Sequence, residues 1–254
     1  MKKIIIFISF VIIYNSIFGQ GEISDKKIFK TKERSLAILI NTNGIGGDFR
    51  YGKRIDGTRR KVYDIDFEYI KDQKEVKTRN PYYENNNRFV FGKLNDFFVF
   101  RGGMGLQKEI FSKSDKGGVA IKYFYSGGIS LGLIKPIYYD IIDSTRIYED
   151  KQYIFTNPKK FDNSIHTSSD IYGRTAFFRK GMDEITVSPG AFIKVGISIE
   201  YSKNEKNIHA IEAGIITDFF AKKVTIMDDD RNRQVFVSLF ASLRFGKVSY
   251  QKDN

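Results

Sequence analysis

The chain has 254 residues, no cysteine and two histidines, so nucleophilic and metal chemistry have few side chains to work with. His166 stands with Ser168, Ser169 and Asp170, the residue types of a hydrolytic triad. Neighbours along one loop rarely reach the nucleophile, base and orienter geometry that this chemistry needs. Asp228, Asp229 and Asp230 could offer hard oxygen ligands to calcium, and Asp140 and Asp143 invite the same thought. Lys222, Lys223 and Arg231 offset the triple aspartate, and the spacing is not that of an EF-hand. The glycines of GIGG (44–47) and GGMG (102–105) lie in extended segments and open no helix, so they lack the setting of a nucleotide loop. The sequence therefore predicts no catalytic, cofactor-binding or metal-binding residue, and a protein that is not an enzyme.

The elements that carry these residues are easier to read than the residues themselves. In GGVAIKYFYSGGISLGL (117–133), Val119, Ile121, Tyr123, Tyr125, Ile129, Leu131 and Leu133 alternate with small or polar residues, the period of a strand. Similar segments span 35–41, 45–54, 61–71, 95–108, 187–201, 207–220 and 233–245, which predicts eight strands. An apolar run behind Lys2 and Lys3 reads as a signal peptide over 1–19, whose removal would take two lysines from the formal charge of +12. After it come a segment over 20–34, a barrel over 35–246 and a tail over 247–254.

The connections alternate in length. Segments 55–60, 109–116 and 202–206 are short and polar, 72–94, 134–186 and 221–232 are long, and the first turn at 41–44 is tight. Short turns at one end and long loops at the other, with an even strand count, predict an all-β, eight-stranded antiparallel up-and-down transmembrane barrel with a long extracellular loop at 134–186. Tyr51, Tyr63, Tyr201 and Phe245 fall where an aromatic girdle belongs, and His209 sits beside them on the outer face. On this facing Ile121 is a lipid-facing mid-strand position, and Ser35 is a tolerant position near the rim.

The opposite face carries Asp48, Asp64, Asp66, Glu68, Glu200, Glu212 and Asp218 against Arg50, Arg101, Lys122, Lys194 and Arg244. An eight-stranded barrel is just wide enough for its inward side chains to fill it, so these residues predict a packed ionic core and no open channel. The basic excess falls in the short turns and chain ends, where Lys53, Arg54, Arg59, Arg60 and Lys61 form a candidate periplasmic rim. The long loop is aromatic and basic, and Tyr172, Arg174, Phe177, Phe178, Arg179 and Lys180 are its candidate interaction surface.

Residues 91–136, with NGIGGDFRYGK at 43–53 and IYGRTAFFRKGMDE at 171–184, resemble a group of uncharacterised outer-membrane barrel proteins of Bacteroidetes-type bacteria. The resemblance implies an integral outer-membrane protein and supplies no catalytic residue. The expected partners are outer-membrane lipids, including lipopolysaccharide, and an envelope protein, in a structural or accessory role. Nucleic acid is not expected, because the basic positions are turns of an exported barrel. The alternatives are a narrow barrel binding a small solute or lipid, and a membrane-embedded hydrolase or acyltransferase.

Overall fold

The structure is a computed structural model that describes residues 31–83, 86–113, 118–148, 151–204, 206–228 and 232–250. Its strands are β1 (Thr31–Asn41), β2 (Gly44–Arg54), β3 (Arg59–Ile70), β4 (Lys77–Thr78), β5 (Phe89–Val90), β6 (Asn95–Phe111), β7 (Ala120–Pro136), β8 (Tyr138–Tyr148), β9 (Lys151–Lys160), β10 (Ile171–Arg174), β11 (Thr186–Glu200), β12 (Asn207–Val224) and β13 (Arg233–Tyr250). Eight of them close a barrel in the order β1-β13-β12-β11-β7-β6-β3-β2. Each barrel strand pairs antiparallel with the next barrel strand in the chain, and β1 with β13 completes the ring. The fold is therefore an eight-stranded antiparallel up-and-down barrel.

The stagger of the ring sets its bore. Ser35 pairs with Gly246, while the register followed the other way from Ser35 passes Arg50, Asp64, Gly103, Gly128, Phe192 and Asp218 and arrives at Phe236, ten residues short of Gly246. Eight strands with that stagger tilt by about 40° and enclose a radius of about 8 Å at the backbone, which inward side chains fill. Inward glycines make room for inward rings. A Cβ on Gly103, Gly132 or Gly196 would lie 2.7 Å from an atom of Phe192, Phe97 or Phe124 respectively.

Alternation decides the facing of every strand. Outward Leu36, Ile38, Ile40, Ile65, Phe67, Ile129, Ile193, Val195, Val237 and Leu239 are exposed, while their neighbours along each strand point into the barrel and most are buried. Tyr51 meets Tyr63 at 6.2 Å, and His209 lies 6.2 Å from Tyr201 and 5.6 Å from Phe245, forming an outer aromatic group at the end with the short turns. Phe98 meets Phe67, Tyr69 and Phe177 at the other end.

Several boundaries and facings differ from the sequence reading. β1 starts at Thr31, ahead of residue 35, and β13 runs to Tyr250, past 246. The signal peptide over 1–19, the segment up to residue 30 and the tail from 251 lie outside the described residues. Ser35 is not a rim position: it is buried inside the barrel, where its hydroxyl accepts a hydrogen bond from Arg244 at 3.1 Å. Ile121 is the second residue of β7, close to the short-turn end, and Ile129 holds the mid-strand outer position. The connection 134–186 is not one irregular loop, since β8, β9 and β10 form a three-stranded sheet in the order β10-β8-β9. Its sequence hides this because apolar residues mark both faces of β8 and a bulge between Ile142 and Ser144 breaks the period.

Candidate functional site

Inside the barrel, opposite charges converge from strands far apart in the chain. Lys194 sits 2.7 Å from Asp48 and 3.2 Å from Asp66, and Arg50 reaches Asp64 at 2.7 Å and Glu212 at 2.9 Å. Arg244 pairs with Asp48 and with Glu212, the latter at 3.0 Å. Arg101, wholly buried, donates to Asp218 through two nitrogens at 2.7 Å and to Glu68 at 3.1 Å. Each of these cations thus bridges two carboxylates, and Coulomb attraction offsets the loss of water only with such multiple contacts. Lys122 lies nearer the short-turn end and pairs with Glu200, which also accepts from Lys113 at 2.6 Å.

Aromatic and aliphatic side chains fill the remaining space. Phe124 stacks under the Arg50 guanidinium at 4.3 Å and packs with Leu39, Ile216 and Phe240. Nearer the long loops, Ile70, Phe97, Val99, Phe220, Val224, Ile226 and Phe236 form an apolar plug. The inward phenylalanines were missed by the sequence reading. In a strand whose outer face is also apolar, a ring on the inner face blurs the alternation that would identify it. The lumen is packed with these ionic and apolar side chains.

The long loops build a cap. Asn80 donates to the carbonyls of Ser169 and Ile171 at 2.7 and 2.9 Å, and Leu94 donates to Ile226 at 2.9 Å, so the three connections are tied together. Phe89, Ile137, Tyr139, Ile141, Phe161 and Ile171 form its core, and burial pushes the Tyr139 phenol pKa up. Beneath it Lys93 contacts Glu75 at 2.6 Å and Asp96 at 3.4 Å, with Arg174 on the other side of Asp96. Of the expected interaction surface, Arg174 is thereby committed to a buried carboxylate, Phe177 packs against Phe98 and Phe178, and Tyr172 meets Tyr83 at 5.8 Å. Phe178, Arg179 and Lys180 are exposed. Gly181 turns the chain beside them with φ +80°, and a Cβ there would lie 2.7 Å from the Pro136 carbonyl, so glycine is required. The outer edge of β9 has no strand partner among the described residues.

Exposed and half-buried carboxylates hold the cap's turns. Hydrogen bonds from Lys160 and Tyr138 keep the Glu184 pKa below its ordinary value. Ser164 does the same for Asp162, and Thr167 for Asp170. Their contribution is complete above the unfolded carboxylate range and is lost as pH falls through the lowered folded values. Amide exchange in 160–184, corrected for its intrinsic pH dependence, should therefore lose protection below about pH 4. Equal protection at pH 5 and pH 3 would contradict this role.

The candidate chemical motifs do not assemble. His166 Nδ1 accepts the Asp162 backbone N–H at 3.1 Å, and the Asp170 carboxylate accepts from Thr167, so imidazole and carboxylate each serve their own turn. Asp140 accepts from Thr175 at 2.7 Å, and Asp143 is exposed at the β8 bulge. Asp229, Asp230 and Arg231 lie outside the described residues, while Asp228 donates its N–H to Gly92 at 2.7 Å. GIGG lies at the start of β2 and GGMG within β6.

At the short-turn end Lys53 and Arg59 are exposed, and Arg54 and Lys61 are half-buried, with Lys61 lying over the Tyr63 ring. Arg60 corrects the expected rim. It points into the barrel, is buried, and pairs with Glu33 at 2.7 Å and Glu109 at 3.6 Å, because it shares the inward parity of Val62 and Asp64.

No family model matches the chain, and no curated protein matches it significantly. Among solved structures it is similar to Ail, the attachment invasion locus protein of Yersinia pestis, in complex with the heparin analogue sucrose octasulfate, at 9% identity over 87% of this chain and 100% of that one, with a TM-score of 0.42. It is similar to the N-terminal β-barrel domain of Pseudomonas aeruginosa OprF at 11% identity, over 87% and 98%, with a TM-score of 0.36. Neisserial surface protein A gives 11% identity, 87% and 96%, and a TM-score of 0.35. These likenesses are weak, and the barrel rests on its own closed ring of strand pairs.

Proposed function

We propose that the chain is an integral outer-membrane β-barrel with a structural or interaction role, sealed to solutes, that presents its β8–β10 cap to the exterior. One observation carries this reading. Among the described residues, the outward positions of the barrel strands hold no Asp, Glu, Lys or Arg between the level of Arg34, Lys53, Lys61, Lys108 and Lys247 at one end and that of Asp96, Lys135 and Lys223 at the other. A water-facing sheet would carry polar residues there, whereas acyl chains require their absence. The shortest barrel strand has 11 residues, enough for the roughly 9 to 11 that a tilted strand needs to cross a bilayer.

Charge buried inside and apolar surface outside is the reverse of a soluble barrel, and the short turns at one end against long connections at the other support a periplasmic end and an exterior cap. The filled lumen argues against a conducting pore and against a narrow solute-binding barrel. The exposed Phe178, Arg179 and Lys180 and the open β9 edge suit an envelope partner or lipopolysaccharide phosphates, as an accessory subunit of a larger assembly would need. The resemblance to Bacteroidetes-type outer-membrane barrels agrees with this assignment.

Because the chain contains no cysteine, topology can be tested with single substitutions. In intact cells a membrane-impermeant maleimide should label Phe178→Cys, and should label Gly57→Cys only after the envelope is opened. A photo-crosslinking residue at Phe178 should then capture a protein or lipopolysaccharide adduct. Recovery of the protein in the soluble periplasmic fraction would end the membrane assignment, and a cap without adducts would end the interaction role.

A further inference from the structure

The seam where β1 meets β13 and β2 carries an outward recess of about 620 Å³ lined by Lys32, Arg34, Leu36, Phe49, Phe245 and Lys247, with Ser35, Gly246 and Ser249 between them. Its charged and apolar parts are sorted by height. Phe245, Leu36 and Phe49 stand side by side in register, at the level where Phe245 meets His209 in the aromatic group. Two residues further toward the short turns, Arg34 stands directly opposite Lys247. Beyond them Lys32 stands opposite Lys53, which in turn stands opposite Lys61.

Like charges directly opposite on neighbouring strands repel and destabilise a sheet. No carboxylate among the described residues forms an ion pair with Lys32, Arg34, Lys53, Lys61 or Lys247. The inward cations Arg50, Arg60, Arg101, Lys122, Lys194 and Arg244 each lie against at least one carboxylate, including Arg60 in the same strand as Lys61. Among the described residues this row has no paired anion, and apolar side chains adjoin it on the membrane side.

We infer that the recess is a binding site for an anionic phospholipid of the periplasmic leaflet. The phosphate and its added negative charge lie among Arg34, Lys247 and Lys32, with Lys53 at the flank, and an acyl chain runs over Leu36, Phe49 and Phe245. A zwitterionic lipid offers the same apolar part without net charge, so selectivity comes from the cations. This inference rests on the membrane assignment above and adds to it a ligand class and a place.

The test is native mass spectrometry of the full chain extracted in detergent and offered phosphatidylglycerol and phosphatidylethanolamine with identical acyl chains. Phosphatidylglycerol should be retained preferentially. Arg34→Gln with Lys247→Gln should reduce that retention roughly tenfold. Lys222→Gln with Lys223→Gln, which removes the same charge at the opposite end, should leave it unchanged. No headgroup preference, an equal loss in both double variants, or displacement by equimolar inorganic phosphate would overturn the site. A compact form on unheated gels reports the folded barrel for every variant. If that form persists without lipid selectivity, only the site fails; if the chain does not enter bilayers at all, the membrane assignment fails with it.

Discussion

Replacing Arg101 with Met should destabilise the barrel by about 3 to 5 kcal/mol, the usual effect of stranding buried charges. The guanidinium is fully buried and joins β3, β6 and β12 through Glu68 and Asp218. With it gone, Glu68 and Asp218 each lose the one ion-pair partner they have among the described residues, and the methionine returns only apolar contact. Adding Glu68→Leu and Asp218→Leu to Arg101→Met should recover most of the loss, because a buried ion cluster exchanged whole for apolar residues is often neutral. Urea unfolding in lipid vesicles, followed by the change in gel mobility, measures both. An Arg101→Met protein as stable as the parent would mean that water reaches the cluster and the lumen is open.

The second large effect belongs to the opposite face. Ile129→Arg should cost about 2 to 4 kcal/mol in a bilayer, and Ile121→Arg about 0 to 1, because the penalty for a cation falls with distance from the midplane. Ile129 is 67% exposed in the isolated chain, so in water the arginine would be accommodated with little change. The contrast between the two positions separates a barrel in lipid from one in water more sharply than either value alone. Equal tolerance at Ile129 and Ile121 would remove the membrane from the description.

The barrel was legible because a period of two survives tilt, length and composition. Outward Val235, Val237, Leu239, Leu243 and Phe245, and inward Asp64, Asp66 and Glu68, follow from parity alone. The misplacements of Ser35 and Arg60 have one origin. Both stand near a strand end, which suggests a rim, whereas the parity they share with Ala37 and Val62 turns them inward. The cap was less legible for a different reason. Its core joins Phe89 and Leu94 to Ile137, Tyr139, Ile141, Phe161 and Ile171 across two connections, and such a contact leaves no periodic trace in either segment. Arg174 looked like a free cation for recognition because its partner, Asp96, lies 78 positions away.

The ring closes by pairing residues from the two ends of the described chain, Thr31 with Tyr250 and Leu36 with Phe245. Every other neighbouring pair of barrel strands can form once the intervening connection is made, but this last one needs the final strand, so it comes late and carries the largest loop entropy. Until then two long edges stay open to other chains, a hazard during synthesis and transit. A polypeptide that stops before β13 would never shed that hazard. The lipid recess straddles this same seam, so its ligand would be met only by molecules whose assembly had finished.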